Sequence, residues 1–141
     1  MSVLVARASA SELDVARAIR RTVFVEEQAV PLEVEVDGLD DEAEHFLARL
    51  GALPVATARA RRTPKGWKIE RVAVLGAQRR LGVGRVLVQH VLEHAPAGAS
   101  VYVHAQESAM GFWERAGFVA EGPRFEEGGI SHRRMRFEPP R

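Results

Sequence analysis

The stretch Arg79-Arg80-Leu81-Gly82-Val83-Gly84-Arg85 follows an apolar run from Ile69 to Leu75 and precedes a helix-like segment, Val86 to Ala95. This order of strand, basic glycine turn and helix constrains the chain most. A helix N-terminus presents unpaired backbone N–H groups and the positive end of the helix dipole, which together favour an anion. Glycine lets the backbone approach a ligand closely, because no Cβ intervenes. Arginine adds forked donors suited to phosphate oxygens. The turn is not a P-loop, since no Gly-Lys-Ser/Thr follows the first glycine. It is not a dinucleotide fingerprint either, because Leu87 stands where the third glycine belongs.

The rest of the sequence reads as one domain, residues 1–141. That length supports a single core and is short for two. The chain has no cysteine, which excludes disulfides, thiolate metal sites and a cysteine nucleophile. No apolar stretch approaches the roughly 20 residues of a membrane span, and the N-terminal residues lack a signal peptide's apolar core. A cytoplasmic protein without a membrane partner is the expectation. Net charge is only +1. Its distribution is uneven, because Thr22 to Ala48 contains no Lys or Arg and nine acids. Such asymmetry points to one surface for anions and another for cations, or to a solvated acidic loop.

Periodicity predicts a strand at Val3–Ala8 and a helix from about Ser11 to about Val25. Leu13, Ala16, Ile19 and Val23 form the apolar face of that helix; Arg17, Arg20 and Arg21 lie on the others. Pro31 breaks the chain, and the acidic stretch follows as loop or a short second helix. Strands are expected at Phe46–Leu50, Pro54–Arg62, Trp67–Leu75 and Ser100–Ala105. Val83, Val86, Leu87, Val91 and Ala95 share a helical face. Ser108 would cap a short helix that Gly117 stops. Phe118–Phe125 and His132–Phe137 close the chain as a hairpin around Gly128-Gly129. This order predicts an α/β sheet with helices on both faces.

Ile69-Glu70-Arg71-Val72-Ala73-Val74, then Arg79-x-x-Gly82-x-Gly84, resembles motif A of the GCN5-related N-acetyltransferases (GNAT). Gln106-x-x-Ala109-x-x-x-Trp113-x-x-x-Gly117-Phe118 resembles their motif B. Arg21-x-x-Phe24-Val25-x-Glu27-Gln28-x-Val30-Pro31 and Gly129-Ile130-x-His132 resemble the ElaA-like branch. The resemblance implies a GNAT fold, with a mixed, mostly antiparallel, twisted sheet of six to seven strands. It also implies acetyl-CoA as cosubstrate, a small-molecule or peptide amine as acceptor, and direct acetyl transfer. A catalytically weak CoA-binding sensor or interaction domain is the alternative. By position, the backbone of Val72, Ala73 and Val74 would meet the pantetheine arm. Arg79, Arg80, Leu81, Gly82, Val83, Gly84 and Arg85 would hold the pyrophosphate. Gln106 and Phe112 would lie beside the cofactor. The segment after the first helix would border the acceptor, with Glu26, Glu27 and His45 as binding candidates and the nine acids attracting a cationic amine. Dimers are common in the family, so a homodimer is open.

Trp113 stands where the family often has a tyrosine acid, and an indole N–H is no proton-transfer acid near neutral pH. Tyr102, the only tyrosine, is the remaining phenol. Amine attack needs a base with a pKa near 7. Glu70, shifted by burial, and His45, His104 and His132 are the candidates. Scattered basic residues and few aromatics argue against nucleic acid. His90 and His94 share a helix face without a third ligand nearby, so no metal is expected.

Overall fold

The computed structural model describes residues 2–139. Seven strands form one sheet in the order β1-β2-β3-β4-β5-β7-β6. They are β1 (Val3–Arg7), β2 (Glu44–Leu50), β3 (Leu53–Thr63), β4 (Gly66–Val74), β5 (Val101–Gln106), β6 (Phe118–Glu127) and β7 (Ile130–Phe137). Every neighbouring pair is antiparallel except β4 and β5. This is the mixed, mostly antiparallel sheet expected.

A capping box on the 3-10 turn Ala10–Glu12, in which the Ser9 N–H donates to Glu12 Oε1 at 2.9 Å, leads into helix α1 (Leu13–Arg20). The helix widens into π-helical turns over Arg21–Glu27. The acidic stretch contains a one-turn helix, α2 (Leu32–Glu35), and a 3-10 turn at Asp40–Glu42. Helix α3 spans Val83–Glu93 and α4 spans Met110–Arg115. Ser108 does not cap α4. A 3-10 turn over Glu107–Ala109 precedes that helix, and no side chain caps it.

Strand alternation divides the core between the two faces. Phe46 and Ala48 join Val83, Leu87, Val88, Val91 and Trp113 beneath α3 and α4. Leu47 and Ala73 meet Ala16, Ile19 and Val23 of α1 on the other face. His90 and His94 pack edge-on against Phe46, so this pair serves the α3 interface.

The parallel pair decides where a cavity forms. Strands β4 and β5 pair only through Trp67–Val101, Lys68–Tyr102 and Ile69–Val103. Beyond Ile69 the two strands part while each keeps its other neighbour. The junction is fixed at Gly66 and Trp67. The Trp67 N–H donates to Ser100 O at 2.8 Å. Gly66 has φ +137, and a Cβ there would lie 2.1 Å from Ser100 O. Gly66→Ala should therefore destabilise the fold by about 2–3 kcal/mol. Urea denaturation checks this; an unchanged midpoint would show that the junction yields freely.

Candidate active site

The parting of β4 and β5 opens a cavity of about 840 Å³. Its walls include Lys68 to Val74 from β4, and Val103, His104 and Gln106 from β5. A bulge shapes the β4 wall. Thr57 pairs with Ala73, but Arg59 pairs with Glu70, so β4 carries one extra residue there. Arg71 absorbs it with φ +53. Past the bulge, the Leu75 N–H donates to Val55 O at 2.9 Å. Alternation along an antiparallel ladder then turns the N–H and C=O of Val74 away from β3, toward the cleft. Ala73 faces β3 with its backbone and α1 with its side chain.

The glycine turn lies at one end of this cavity. Gly82, with φ +78, caps α3, and the Val86 N–H is the first to reach back, to Gly82 O at 3.2 Å. The N–H groups of Val83, Gly84 and Arg85 therefore have no intrahelical acceptor. A Cβ on Gly82 would meet nothing within 4 Å. A Cβ on Gly84 would lie 3.2 Å from Phe112 and 3.5 Å from Val74. An adjoining groove of about 390 Å³ is lined by Arg79, Arg80, Gly82 to Arg85, Phe112 and Arg115. Leu81 is exposed and lines neither space. Arg79 donates from Nε to Val74 O at 2.9 Å and pairs with Glu27 at 2.8 Å. The open helix end, the arginines and the space over Gly82 fit the diphosphate of a CoA thioester. The cleft-facing backbone of Val74 fits a pantetheine amide.

Titratable groups gather at the other end. His132, buried, lines the cavity and places Nδ1 2.7 Å from Ile130 O. A neutral ring donates its Nδ1–H there, leaving the Nε2 lone pair as an acceptor. Phe125 stacks on this ring at 5.9 Å. His104 Nδ1 lies 3.1 Å from Glu127 Oε2. The His104 hydrogen bond, helped by Lys68 and His132, outweighs burial and holds Glu127 down to about 2. Gln106 donates from Nε2 to Gln28 Oε1 at 2.8 Å, tying β5 to the end of the first helix.

Five predicted residues do not fit their expected roles. Glu70 lines the cavity, but it accepts from Arg59 and Arg61 and pairs with Lys68. Burial pushes its pKa up, yet Arg61, Arg59 and Lys68 push harder, and the net shift is downward. It is the reverse of a base raised by burial. Tyr102 is buried outside the cavity, where its hydroxyl shares a 2.5 Å hydrogen bond with Thr63. His45 is also buried outside the cavity, with Nε2 2.9 Å from Asp40 O. Glu26 is exposed, and neither it nor Glu27 lines the cavity.

The acidic stretch is divided, with Glu26, Glu33, Asp41 and Glu42 exposed and three other acids drawn into a buried network. Glu35, Asp37 and Asp40 are bonded by Arg20, Arg59 and Arg71. Arg20, expected off the apolar face of the first helix, is wholly buried, as is Arg59. For Asp37, burial acts upward, but Arg59, the Leu39 N–H and Arg71 bring it to about 2. Burial also acts upward on Asp40, and Arg20, Arg59 and Arg17 hold it well below the usual carboxylate range.

The sequence profile of an acetyltransferase (GNAT) domain matches residues 8–139. The chain belongs to the GNAT acetyltransferase family. This GNAT protein is an acyltransferase enzyme. It is similar to the N-acetyltransferase YjcF of Bacillus subtilis, 39% identical over 121 residues that cover 83% of this chain and 86% of the relative. Its structure resembles that of Escherichia coli ElaA with a TM-score of 0.83, at 31% identity, covering 98% of this chain and all of the other. An acyl-CoA N-acyltransferase from Pseudomonas aeruginosa matches with the same TM-score at 30% identity, covering 97% of this chain and 99% of that one. Enzymes of the GNAT family generally use acetyl-CoA and act on small-molecule or peptide amines. Among the described residues, no helix is long and apolar enough to cross a membrane.

Sequence reasoning missed Arg115 beside the glycine turn, and Gln28, Arg61, Lys68 and Glu127 in the cavity. The signal for Arg61 and Lys68 was charge at alternate strand positions: Arg59 and Arg61 in β3, Lys68 and Glu70 in β4. On a strand packed on both faces, such a row marks a buried polar patch. The low native pKa values predict acid sensitivity. Asp37 titrates near 2 when folded and near 4 when unfolded. Its contribution is complete above the unfolded value and is lost as pH falls through the folded one. The urea midpoint should hold down to about pH 5 and decline below about pH 4. A midpoint that rises on acidification would contradict the network.

Proposed function

We propose that the chain acts over its whole length as one domain, moving the acetyl group of acetyl-CoA to a primary amine by direct transfer in a ternary complex. The parting of β4 and β5 beside the glycine turn carries this reading. Acetyl-CoA supplies a thioester carbonyl activated toward attack. Val83, Gly84 and Arg85 would donate backbone N–H groups to its diphosphate, assisted by Arg80 and Arg115. Arg79 would release Val74 O as the pantetheine arm enters.

His132 is the base in this reading. Its Nδ1 is committed to Ile130, and its Nε2 takes a proton from the acceptor ammonium. The neutral amine then attacks the thioester carbonyl, the C–S bond breaks, and the second proton of the attacking nitrogen passes through water to the thiolate. Glu70 is unsuited to the task because arginine and lysine already occupy its lone pairs. Trp113 packs edge-on between Phe112 and Phe118 and also lines the cavity, where its indole N–H is no proton-transfer acid for the leaving group. The same tryptophan motivates the second reading, a CoA-binding sensor.

Steady-state release of free CoA with a panel of primary amines separates the two. Release with at least one amine is expected; tight binding of acetyl-CoA with no turnover of any amine would establish the sensor. His132→Gln should lower kcat by about 100-fold or more, the scale of general-base catalysis. It should leave acetyl-CoA affinity, measured by calorimetry, near the parent value. An unaltered kcat would remove His132 from the chemistry.

A further inference from the structure

The acceptor end of the cavity has an uneven charge balance. Arg20, Arg59 and Arg71 are matched one for one by Glu35, Asp37 and Asp40. Arg17 reaches Asp40 from the exposed side of α1, where Asp14 also faces it. Past this block, Arg61 and Lys68 line the cavity, and each forms its ion pair with Glu70. Among the described residues, neither has another carboxylate partner. Glu70 is also bonded by Arg59, so its oxygens are saturated.

An ammonium has three donors, and Lys68 stands 3.1 Å from Glu70 Oε1 as an ion pair. Its side chain is nine-tenths buried and lines the cavity, so an anion entering there meets a cation with little water around it. Arg61 directs Nε and Nη2 to Glu70, which leaves Nη1 over. The same cavity also holds the opposite charge: Glu127, ionised, beside His104 and within electrostatic reach of Lys68 and His132.

We infer that the acceptor is an amine that carries its own carboxylate, a small amino-acid-like zwitterion. Its carboxylate is held by Lys68 and Arg61. Its ammonium lies toward Glu127 and His132. This inference rests on the transferase reading above and names the acceptor class for the same site. The cavity of about 840 Å³ also has to take the pantetheine arm, which favours a small acceptor. A diamine would bring its second cation against Lys68 and Arg61, where like charges repel at short range.

The test compares kcat/KM of the wild-type enzyme for amino acids with neutral side chains, for their primary amides, and for diamines of similar length. A charge-assisted pair lost from a buried site predicts that the free acids exceed the amides by about 10- to 100-fold, mainly through KM. Diamines should be poorer still. Lys68→Met should bring each acid down to the level of its amide. Glu127→Gln should raise KM for acid and amide alike, because both carry the ammonium. Amides or diamines that match the acids overturn the inference and leave the transferase reading standing, as does a Lys68→Met enzyme that keeps its preference for acids. Turnover of no amine contradicts the transferase reading itself, and the inference falls with it.

Discussion

One buried guanidinium organises the proposed acceptor half of this molecule. Arg59 is wholly enclosed in the middle of β3 and bonds Asp37, Asp40 and Glu70. Removing water from a cation costs several kcal/mol, and only well-placed carboxylates offset it. That requirement draws the segment from α2 to β2 over the sheet, because two of the partners lie there. The same segment takes up Arg20 from α1 and Arg71 from the bulge of β4. The wall of the cavity and the geometry of the bulge are thus tied to one ionic network.

The donor half depends on backbone instead. A short parallel pairing, a bulge at Arg71 and the open end of α3 leave N–H and C=O groups facing a common space. Main-chain groups are suited to a ligand made of amides and phosphates, and they tolerate variation in side chains. The acceptor half uses side chains throughout, so it differs with every substitution.

This division explains what the sequence disclosed. The donor half was legible because glycine spacing and apolar periodicity report backbone geometry directly. The turn at Gly82 and Gly84, the strand before it and the helix after it lie where the pattern put them. The bulge escaped notice, because Arg71 adopts a left-handed conformation that its residue type does not announce. The acceptor half was legible only in part. His132 was visible as a residue type in a recognisable local pattern. The acids between Thr22 and Ala48 were visible as charge, but their partners Arg20, Arg59 and Arg71 come from three different elements. Glu27, expected beside the acceptor, is instead held by Arg79. Long-range pairing of this kind leaves no local signature, so the neutralisation of Glu35, Asp37 and Asp40 could not be read from the run of acids.

The central claim is that the cleft between β4 and β5, with the N-terminus of α3, receives the CoA moiety through backbone groups. Amide hydrogen exchange with and without saturating CoA tests it most directly. The amides of Val74, Val83, Gly84 and Arg85 should slow on addition of CoA, while β1 and the β6–β7 edge remain unchanged. CoA that binds tightly yet leaves those four amides exchanging as before would contradict the account.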